Sequence, residues 1–214
     1  VYAGSLPGDA AGLLKMLVFD GTFYHLWYFP AVLLGCAVSM LLLKILPLRA
    51  VFGLSLGAWI FGVGGDSWFG LVRQIPGAEG VYDAVFSFSS YTRNGLFFAP
   101  VFLLLGAVIR RESSRKRPGE RGSAASGAGL VSGMVLMLAE GYMTYALGWQ
   151  RHNSMYLSLI PVMYFLFRIL LAVPGSAPGW TRDSSMIVYV IHPAVLVVLR
   201  AAAEAAGLTG ILVE

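Results

Sequence analysis

Long apolar runs separated by short polar stretches dominate the pattern along the chain. Six runs are long enough to predict helices that cross a bilayer, because about 20 apolar residues span its hydrocarbon core. They are His25–Leu46, Val51–Gly70, Asn94–Ile109, Ala128–Leu147, Met155–Val173 and Ser184–Leu199. The pattern therefore predicts an all-α fold, a multi-span transmembrane bundle of about six helices.

Small residues inside the second run favour helix packing over membrane strands. Gly53 and Gly57 stand four residues apart, as do Ala58 and Gly62. This spacing lets two helix backbones approach closely. A transmembrane barrel would instead show short segments of alternating polarity.

Composition indicates the same class of protein. Of the 214 residues, 57% are hydrophobic and only 12% are charged, and the mean hydropathy is +0.74. Soluble domains carry about 25% charged residues. Such a small number of charges cannot cover a water-facing surface. We therefore expect a multi-pass membrane protein whose partner is the lipid bilayer, and we expect no nucleic-acid partner.

Basic residues predict the orientation. The segment "RRESSRKRPGER" (Arg110–Arg121) holds six basic residues and two acidic ones. Lysine and arginine in short loops favour the cytoplasmic side, so residues 110–127 are predicted to form a basic cytoplasmic loop. A solvated linker that sets topology is the first interpretation, and a site for an anionic lipid or nucleotide is the alternative.

This orientation places both ends of the chain outside the cytoplasm. The first residues, "VYAGSLPGDAAGLLKMLVFDG", lack the basic and apolar regions of an export signal. We therefore expect residues 1–214 to be a single membrane domain cut from the interior of a larger one. Missing helices of the same chain would be further partners.

Two ionisable residues inside apolar runs are the candidate catalytic residues. Glu140 lies about 18 Å into its run at 1.5 Å per residue, and His192 lies in the sixth run beside Pro193. A charged group at that depth is costly and is a functional candidate by default. Gly133, Gly141 and Thr144 fall on roughly the same helical side as Glu140. We therefore expect the acid to face the bundle interior, with His192, Arg168 or a missing helix as its partner.

Polar residues near the helix ends are the candidate substrate-binding residues. They are Arg93, Asn94, His25, Arg151, His152 and Arg168. Arg93 and Asn94 are expected to shape an outward-facing polar pocket, with helix capping as the alternative. His25 sits in an aromatic belt, where anchoring competes with substrate contact, and Arg168 has a stem long enough to reach the cytoplasmic surface.

Two further polar side chains are assigned no function from the sequence. Asp66, in "GGDSWFG", is expected to be solvated or to be a neighbour of the aromatic belt. The single Cys36 lies in an apolar context without a set of metal ligands around it. No metal site is predicted.

Four segments in order resemble a known family. They are "FYHLWYFPAVLLG", "RNGLFFAPVFLLLG", "AEGYMTYALGWQRHNSMYLSLIPVMYFLF" and "SSMIVYVIHPAVLV". Together they resemble the acyltransferase-3 superfamily of multi-span membrane proteins. The resemblance is closest to the membrane domain of vancomycin-resistance-type serine/alanine racemases, and it runs from about Phe19 to Arg200.

The resemblance implies an enzyme of the bacterial cytoplasmic membrane. Such proteins move an acyl group from a cytoplasmic donor, acyl-CoA, to an extracytoplasmic hydroxyl or amine, and no bound cofactor is implied. The family's candidate base is a histidine in the first helix, about ten residues after an arginine. No arginine precedes His25 at that spacing, so His25 should not inherit the role, and whether this segment is itself an enzyme stays open.

Two other functions stay open beside acyl transfer. The racemase-linked branch is associated with serine supply, so a serine transport role is one alternative. A transporter would show internal repeats or broken helices around a midplane site, and the sequence has no convincing repeat. The second alternative is a membrane anchor without catalysis, against which a buried Glu140 argues.

Overall fold

The structure is a computed structural model that describes residues 10–21, 27–113 and 124–172, together with 179–181, 184, 187–188, 191, 195 and 198. The chain divides into two compact units, Val1–Val173 and Pro174–Glu214. The sixth predicted run falls in the second unit, whose described positions are helical. All contacts given below belong to the first unit.

Helices account for the regular structure of the first unit. They are α1 (Ala10–Lys15), a π-helix (Met16–Asp20), α2 (Tyr28–Leu43), α3 (Leu48–Gly64), α4 (Phe69–Val72), α5 (Ala78–Phe88), α6 (Ala99–Ser113), α7 (Ala124–Ala146) and α8 (Leu159–Leu170). The described residues contain no strand. The predicted all-α class is therefore confirmed.

Four of the five helices that match predicted runs, namely α2, α3, α6 and α8, are shorter than those runs, whereas α7 is longer. Within the described part of the chain, none combines the length and the apolar character that crossing a membrane requires. The second run continues to Gly70, yet α3 ends at Gly64, because the Asp66 carbonyl accepts the Arg151 N–H at 3.0 Å instead of continuing the helix. The third run begins at Asn94, yet α6 begins at Ala99 after a turn.

A buried cluster holds α3, α6 and the loop before α8 together. Trp59, Val63, Val101 and Met155 are each at most 1% exposed. The Trp59 ring packs edge-on against Phe102, with 4.9 Å between ring centroids. Full burial of large apolar side chains is the main stabilising contribution to such a bundle.

Close backbone approaches set the position of α2 against α6. A Cβ on Gly95 would lie 2.5 Å from the Leu34 Cβ, and one on Gly35 would lie 2.7 Å from the Ala99 Cβ. Real Cβ atoms do not approach so closely. The two glycines are therefore needed at this crossing because they carry no side chain.

A short helix, α5, lies in a stretch to which the apolar pattern assigns no helix. Its N-terminus follows Gly77, which has a φ of +81°, a conformation that glycine adopts without steric cost. The Tyr82 hydroxyl donates to the Phe61 carbonyl at 2.7 Å, and the two rings stack with centroids 4.6 Å apart. These contacts fix α5 against the end of α3.

Large apolar side chains cover the outer faces of α2 and α7. Leu33 is 72% exposed and Leu138 is 69% exposed. Gly53 and Gly57 of α3 face open space, since no described atom lies within 4 Å of the position that a Cβ would take at either glycine. The predicted close contact at this pair is therefore not made. Gly62 does make one, since a Cβ there would lie 2.7 Å from the Met155 Cε.

Candidate functional site

Three loops meet at the end of the unit where α2, α6 and α8 begin. The turn after α3, the segment 89–98 before α6 and the loop 147–158 each contribute polar side chains. We name as the polar loop cluster Asp66, Arg93, Arg151, His152 and Ser154. Its members come from three separate parts of the sequence, and hydrogen bonds join them.

Asp66 is the buried centre of the polar loop cluster. Its Oδ1 accepts the backbone N–H groups of Ser154 at 2.8 Å and Met155 at 3.0 Å. Its Oδ2 has no donor among the described residues, although the side chain is 0% exposed. Burial raises the pKa of Asp66 to about 6, although the two backbone N–H groups and the charges of Arg93 and Arg151 act in the opposite direction.

The prediction of a solvated Asp66 is wrong, because the residue is fully buried. The physical reason is that α3 ends two residues earlier, so Asp66 turns back under the loop before α8 rather than continuing outward. No sequence pattern reports such a long-range contact.

Arg93 lies inside the cluster, only 8% exposed. Its Nη1 donates to the Ser154 hydroxyl at 2.9 Å. Its guanidinium lies over the Tyr91 ring at 4.4 Å and over the Trp27 ring at 5.4 Å. Both distances allow cation–π attraction, so the charge is held in one orientation.

His152 and Arg151 form the more accessible edge of the cluster. His152 is partly exposed, and its ring packs against Tyr91 at an interplanar angle of 54°, with 4.6 Å between ring centroids. Burial lowers the pKa of His152, and the charges of Arg151 and Arg93 lower it further. Arg151 Nη1 donates to the Ser90 carbonyl at 3.3 Å, and the guanidinium lies 3.5 Å from the centre of the Phe86 ring.

Asn94 shapes the segment that carries Arg93. Its Oδ1 accepts the N–H groups of Leu96 at 2.9 Å and Phe97 at 3.1 Å, and its Nδ2 donates to the Ser89 hydroxyl at 3.0 Å. Asn94 is 0% exposed. Both Arg93 and Asn94 therefore face the interior, and Asn94 accepts its backbone N–H groups from the turn before α6. The prediction that they shape a substrate pocket stays a prediction.

Glu140 lies beside the cluster and is held by four hydrogen bonds. Its Oε1 accepts from the Trp68 indole N–H at 2.7 Å and the Leu157 N–H at 2.8 Å. Its Oε2 accepts from the Ser158 N–H at 2.9 Å and the Ser158 hydroxyl at 2.6 Å. A carboxylate offers about four lone-pair directions, so these donors occupy all of them.

The stripe predicted on this helix is confirmed in part. Gly133, Glu140 and Thr144 are buried on one face of α7, whereas Gly141 is only partly buried. Leu136 is exposed on another face, and Leu147 is exposed just after the helix ends. The prediction of Arg168 as a partner of Glu140 is wrong, because Arg168 donates to Tyr164 instead. Glu140 instead joins α7 to the start of α8, where free N–H groups favour a negative charge. Its catalytic role stays a prediction.

An apolar groove of about 500 Å³ begins at the cluster. Side chains of α2, α6 and α8 line it, among them Trp27, Phe98, Phe102, Leu159 and Phe167. Trp27 lines the groove and also contacts the cluster, because Arg93 lies over its ring. A ligand with a polar head and an apolar tail would therefore find both parts of its chemistry at this end of the unit.

Arg168 lies apart from the cluster. Its Nη1 donates to the Tyr164 hydroxyl at 3.3 Å, and that hydroxyl donates to Glu112 at 2.8 Å. The predicted residues His25 and His192, and positions 114–123 of the basic loop, lie outside the described residues. Within the described part, no group of His, Cys, Asp and Glu is arranged to hold a metal ion.

Comparison with known proteins identifies the family. Residues 1–213 match the model of a family described as an acyltransferase domain. The chain belongs to this acyltransferase-domain family, which confirms the resemblance seen in the sequence. No solved structure matches the chain significantly.

Three curated relatives bear racemase names. An "Amino-acid racemase" of Enterococcus faecalis is 36% identical over 92% of this chain and 28% of its own length. A "Serine/alanine racemase" of Enterococcus gallinarum is 36% identical over 85% of this chain and 25% of its own length. A second "Amino-acid racemase" of Enterococcus faecalis is 37% identical over 87% of this chain. The chain spans about a quarter of the length of these relatives.

Proposed function

We propose that this chain is an acyltransferase domain whose polar loop cluster binds the acyl acceptor. The observation that carries the proposal is the continuity between a partly exposed His152, a buried Arg93 and the apolar groove. Successive contacts join them through the Tyr91 and Trp27 rings. The domain family supports the reaction class.

In this proposal His152 is the base. A lowered pKa keeps the imidazole uncharged at neutral pH, so a ring nitrogen is free to accept the proton of a hydroxyl or amine acceptor. The acceptor oxygen or nitrogen attacks the acyl carbonyl, and the thioester C–S bond of an acyl-CoA donor breaks as the new ester or amide bond forms. The proton then passes from the imidazole to the leaving thiolate.

Arg93 has a separate task in the same reaction. Negative charge develops on the carbonyl oxygen during the attack, and donors already held in place stabilise it most effectively. The Arg93 guanidinium is held between two rings and the Ser154 hydroxyl. The apolar groove would hold the acyl chain, because its lining is aromatic and aliphatic.

Glu140 is a positioning residue in this proposal. Both carboxylate oxygens are engaged by donors of Trp68, Leu157 and Ser158. It fixes the C-terminal end of loop 147–158, which carries His152 and Ser154. Its removal would disturb the cluster without removing a group that touches substrate.

We also propose that the protein acts at a bacterial cytoplasmic membrane, with the basic loop inside and the polar loop cluster outside. Contiguous exposed apolar surface marks a membrane or partner contact, and the outer faces of α2 and α7 carry such surface. Cysteine labelling of whole cells with an impermeant reagent is expected at position 152 and not at position 115. Labelling at 115 alone would reverse this orientation.

A second candidate function is the binding of serine or alanine for the racemase activity that the relatives' names state. The favouring observation is the opposite charges of Asp66 and the two arginines, which suit an amino acid with an ammonium and a carboxylate. Uptake of tritiated L-serine by cells expressing the protein tests this alternative. Uptake that is lost in Arg93→Ala, without any acyl transfer, would favour it.

Acyl transfer is tested in membranes that contain the protein in its natural reading frame. Radiolabelled acetyl-CoA serves as the donor probe, and both thiol release and label transfer are measured. We expect His152→Gln to lower the rate by about 100-fold or more, since general-base catalysis contributes roughly that much. Asn153→Ala, an exposed neighbour in the same loop, is the matched control and should keep the full rate.

The outcome separates the candidate functions. Loss of rate in His152→Gln at unchanged protein level supports the proposed base. A fully active His152→Gln protein would remove His152 from the mechanism. Acetyl-CoA consumption no faster than in membranes without the protein would count against acetyl transfer itself.

A further inference from the structure

A second cavity lies at the opposite end of the unit from the polar loop cluster. It measures about 270 Å³, and Leu48, Arg49, Phe52, Val108, Arg111 and Glu112 line it. We name it the basic cavity. About 12 residues of α6 separate the start of that helix from Arg111, which is roughly 18 Å along the helix axis, so the basic cavity is independent of the proposed acyl acceptor site.

Two guanidinium groups on the wall of the basic cavity have no partner among the described residues. Arg49 and Arg111 make no hydrogen bond or ion pair with any of them. Four other described arginines all have one: Arg73, Arg93, Arg151 and Arg168. A guanidinium carries five N–H donors in a planar fork that matches a phosphate group, so this wall of the cavity has unused capacity for an anion.

The carboxylate that lines the basic cavity, Glu112, accepts a hydrogen bond from α8. Glu112 Oε2 accepts the Tyr164 hydroxyl at 2.8 Å, and Arg168 donates to that same hydroxyl at 3.3 Å. Tyr164 and Arg168 thus draw the acidic group toward α8. The lining keeps a net charge of +1, from two arginines and one glutamate.

The sequence that follows the cavity-lining residues of α6 is also rich in positive charge. Arg110–Arg121, which begins in the last turn of α6, holds six basic residues and two acidic ones in the sequence. Positive charge clustered beside an apolar surface attracts anionic groups of lipids and of soluble phosphates alike. Leu48, Phe52 and Val108 provide that apolar surface within the cavity.

We propose that the basic cavity binds a phosphate group, with Arg49 and Arg111 as its donors. The phosphate belongs to a lipid headgroup or to a soluble phosphate ester, since both present the same oxygens. The apolar part of the lining suits the acyl chains of a lipid next to its headgroup. The proposal does not depend on acyl transfer.

The test uses the protein in its natural reading frame, purified in a neutral detergent. Two probes distinguish the sources: phosphatidylglycerol, counted by native mass spectrometry, and glycerol 3-phosphate, measured by isothermal calorimetry. Arg49→Ala/Arg111→Ala should weaken binding of the preferred probe by about tenfold or more, because two charge-assisted contacts are lost. Arg73→Ala, which removes an exposed arginine distant from the cavity, is the matched control and should bind as the unaltered protein does.

A third variant should raise the affinity for phosphate, whereas the arginine variants lower it. Glu112→Gln removes the carboxylate from the lining, so phosphate binding should strengthen several-fold. Arg49→Gln/Arg111→Gln serves as a second pair if the alanine variant does not fold. Preference for the lipid assigns a headgroup site, and equal affinity for both probes assigns the phosphate alone. Binding unchanged by both arginine pairs for both probes overturns the proposal.

Discussion

Replacing Glu140 by glutamine tests whether this buried acid holds the loop or takes part in the chemistry. The carboxylate accepts four hydrogen bonds, two on each oxygen. A glutamine amide keeps one acceptor oxygen, which best serves Trp68 and Leu157. Its NH₂ group then faces Ser158, whose hydroxyl is able to turn and accept, while the Ser158 N–H loses its acceptor.

The expected loss of stability follows from the number of hydrogen bonds that glutamine cannot keep. A hydrogen bond to a charged group contributes about 1.5–3 kcal/mol, so losing one and weakening the others should destabilise the protein by roughly 2–3 kcal/mol. For a chain of this size that lowers the midpoint of thermal unfolding by about 5–10 °C. Glu140→Ala leaves all four donors without the carboxylate and should destabilise by about 4 kcal/mol or more.

Thermal unfolding in detergent, followed by circular dichroism, measures the effect. Glu79→Gln is the matched control, because the same chemical change falls on an exposed ion pair with Arg73, and such pairs contribute about 0–1 kcal/mol. Rescue of acyl transfer in Glu140→Gln by lowering the assay temperature is expected from a positioning role. An unchanged midpoint together with lost activity would refute the reasoning and restore the catalytic role.

Four further outcomes are expected. The unaltered protein should lose about 3 kcal/mol of stability as the pH rises from about 4 to 6, because folded Asp66, with its pKa near 6, still holds a proton that the unfolded chain has released. Asp66→Asn should abolish this loss. Denaturation measured at a series of pH values tests it. Gly95→Ala should lower the midpoint of unfolding, because the new Cβ would lie 2.5 Å from the Leu34 Cβ. Gly57→Ala, in an exposed helical position with open space, should instead stabilise by about 0.5–1 kcal/mol. Acyl transfer should fall as the pH drops through the lowered pKa of His152, and the rate against pH in His152→Gln should lose that limb.

Helix faces could be predicted from the sequence, and the contacts made at helix ends could not. The periodicity of α7 correctly placed Gly133, Glu140 and Thr144 on one buried face. Periodicity does not say which distant groups meet that face. The Trp68 donor of Glu140 lies 72 residues away, and nothing in its local sequence marks it as a partner.

The errors share one physical cause. Apolar runs continue through turns, so Val51–Gly70 predicted a helix where the chain turns after Gly64. That turn buries Asp66, for which the sequence predicts solvation. In the same way, spacing alone predicted close packing at Gly57 and at Gly62, although only Gly62 meets a neighbour. Which small residue is used depends on tertiary contacts.

The proposed reaction site is tested most directly by an electron cryomicroscopy structure of the protein, in its natural reading frame, with a non-hydrolysable ketone analogue of an acyl-CoA. The account predicts density for the acyl chain along the apolar groove, between Trp27 and Phe167, with the ketone oxygen near Arg93 and the ketone carbon on the side of His152. Density for the acyl chain elsewhere, with the groove and the polar loop cluster empty of ligand, would contradict it.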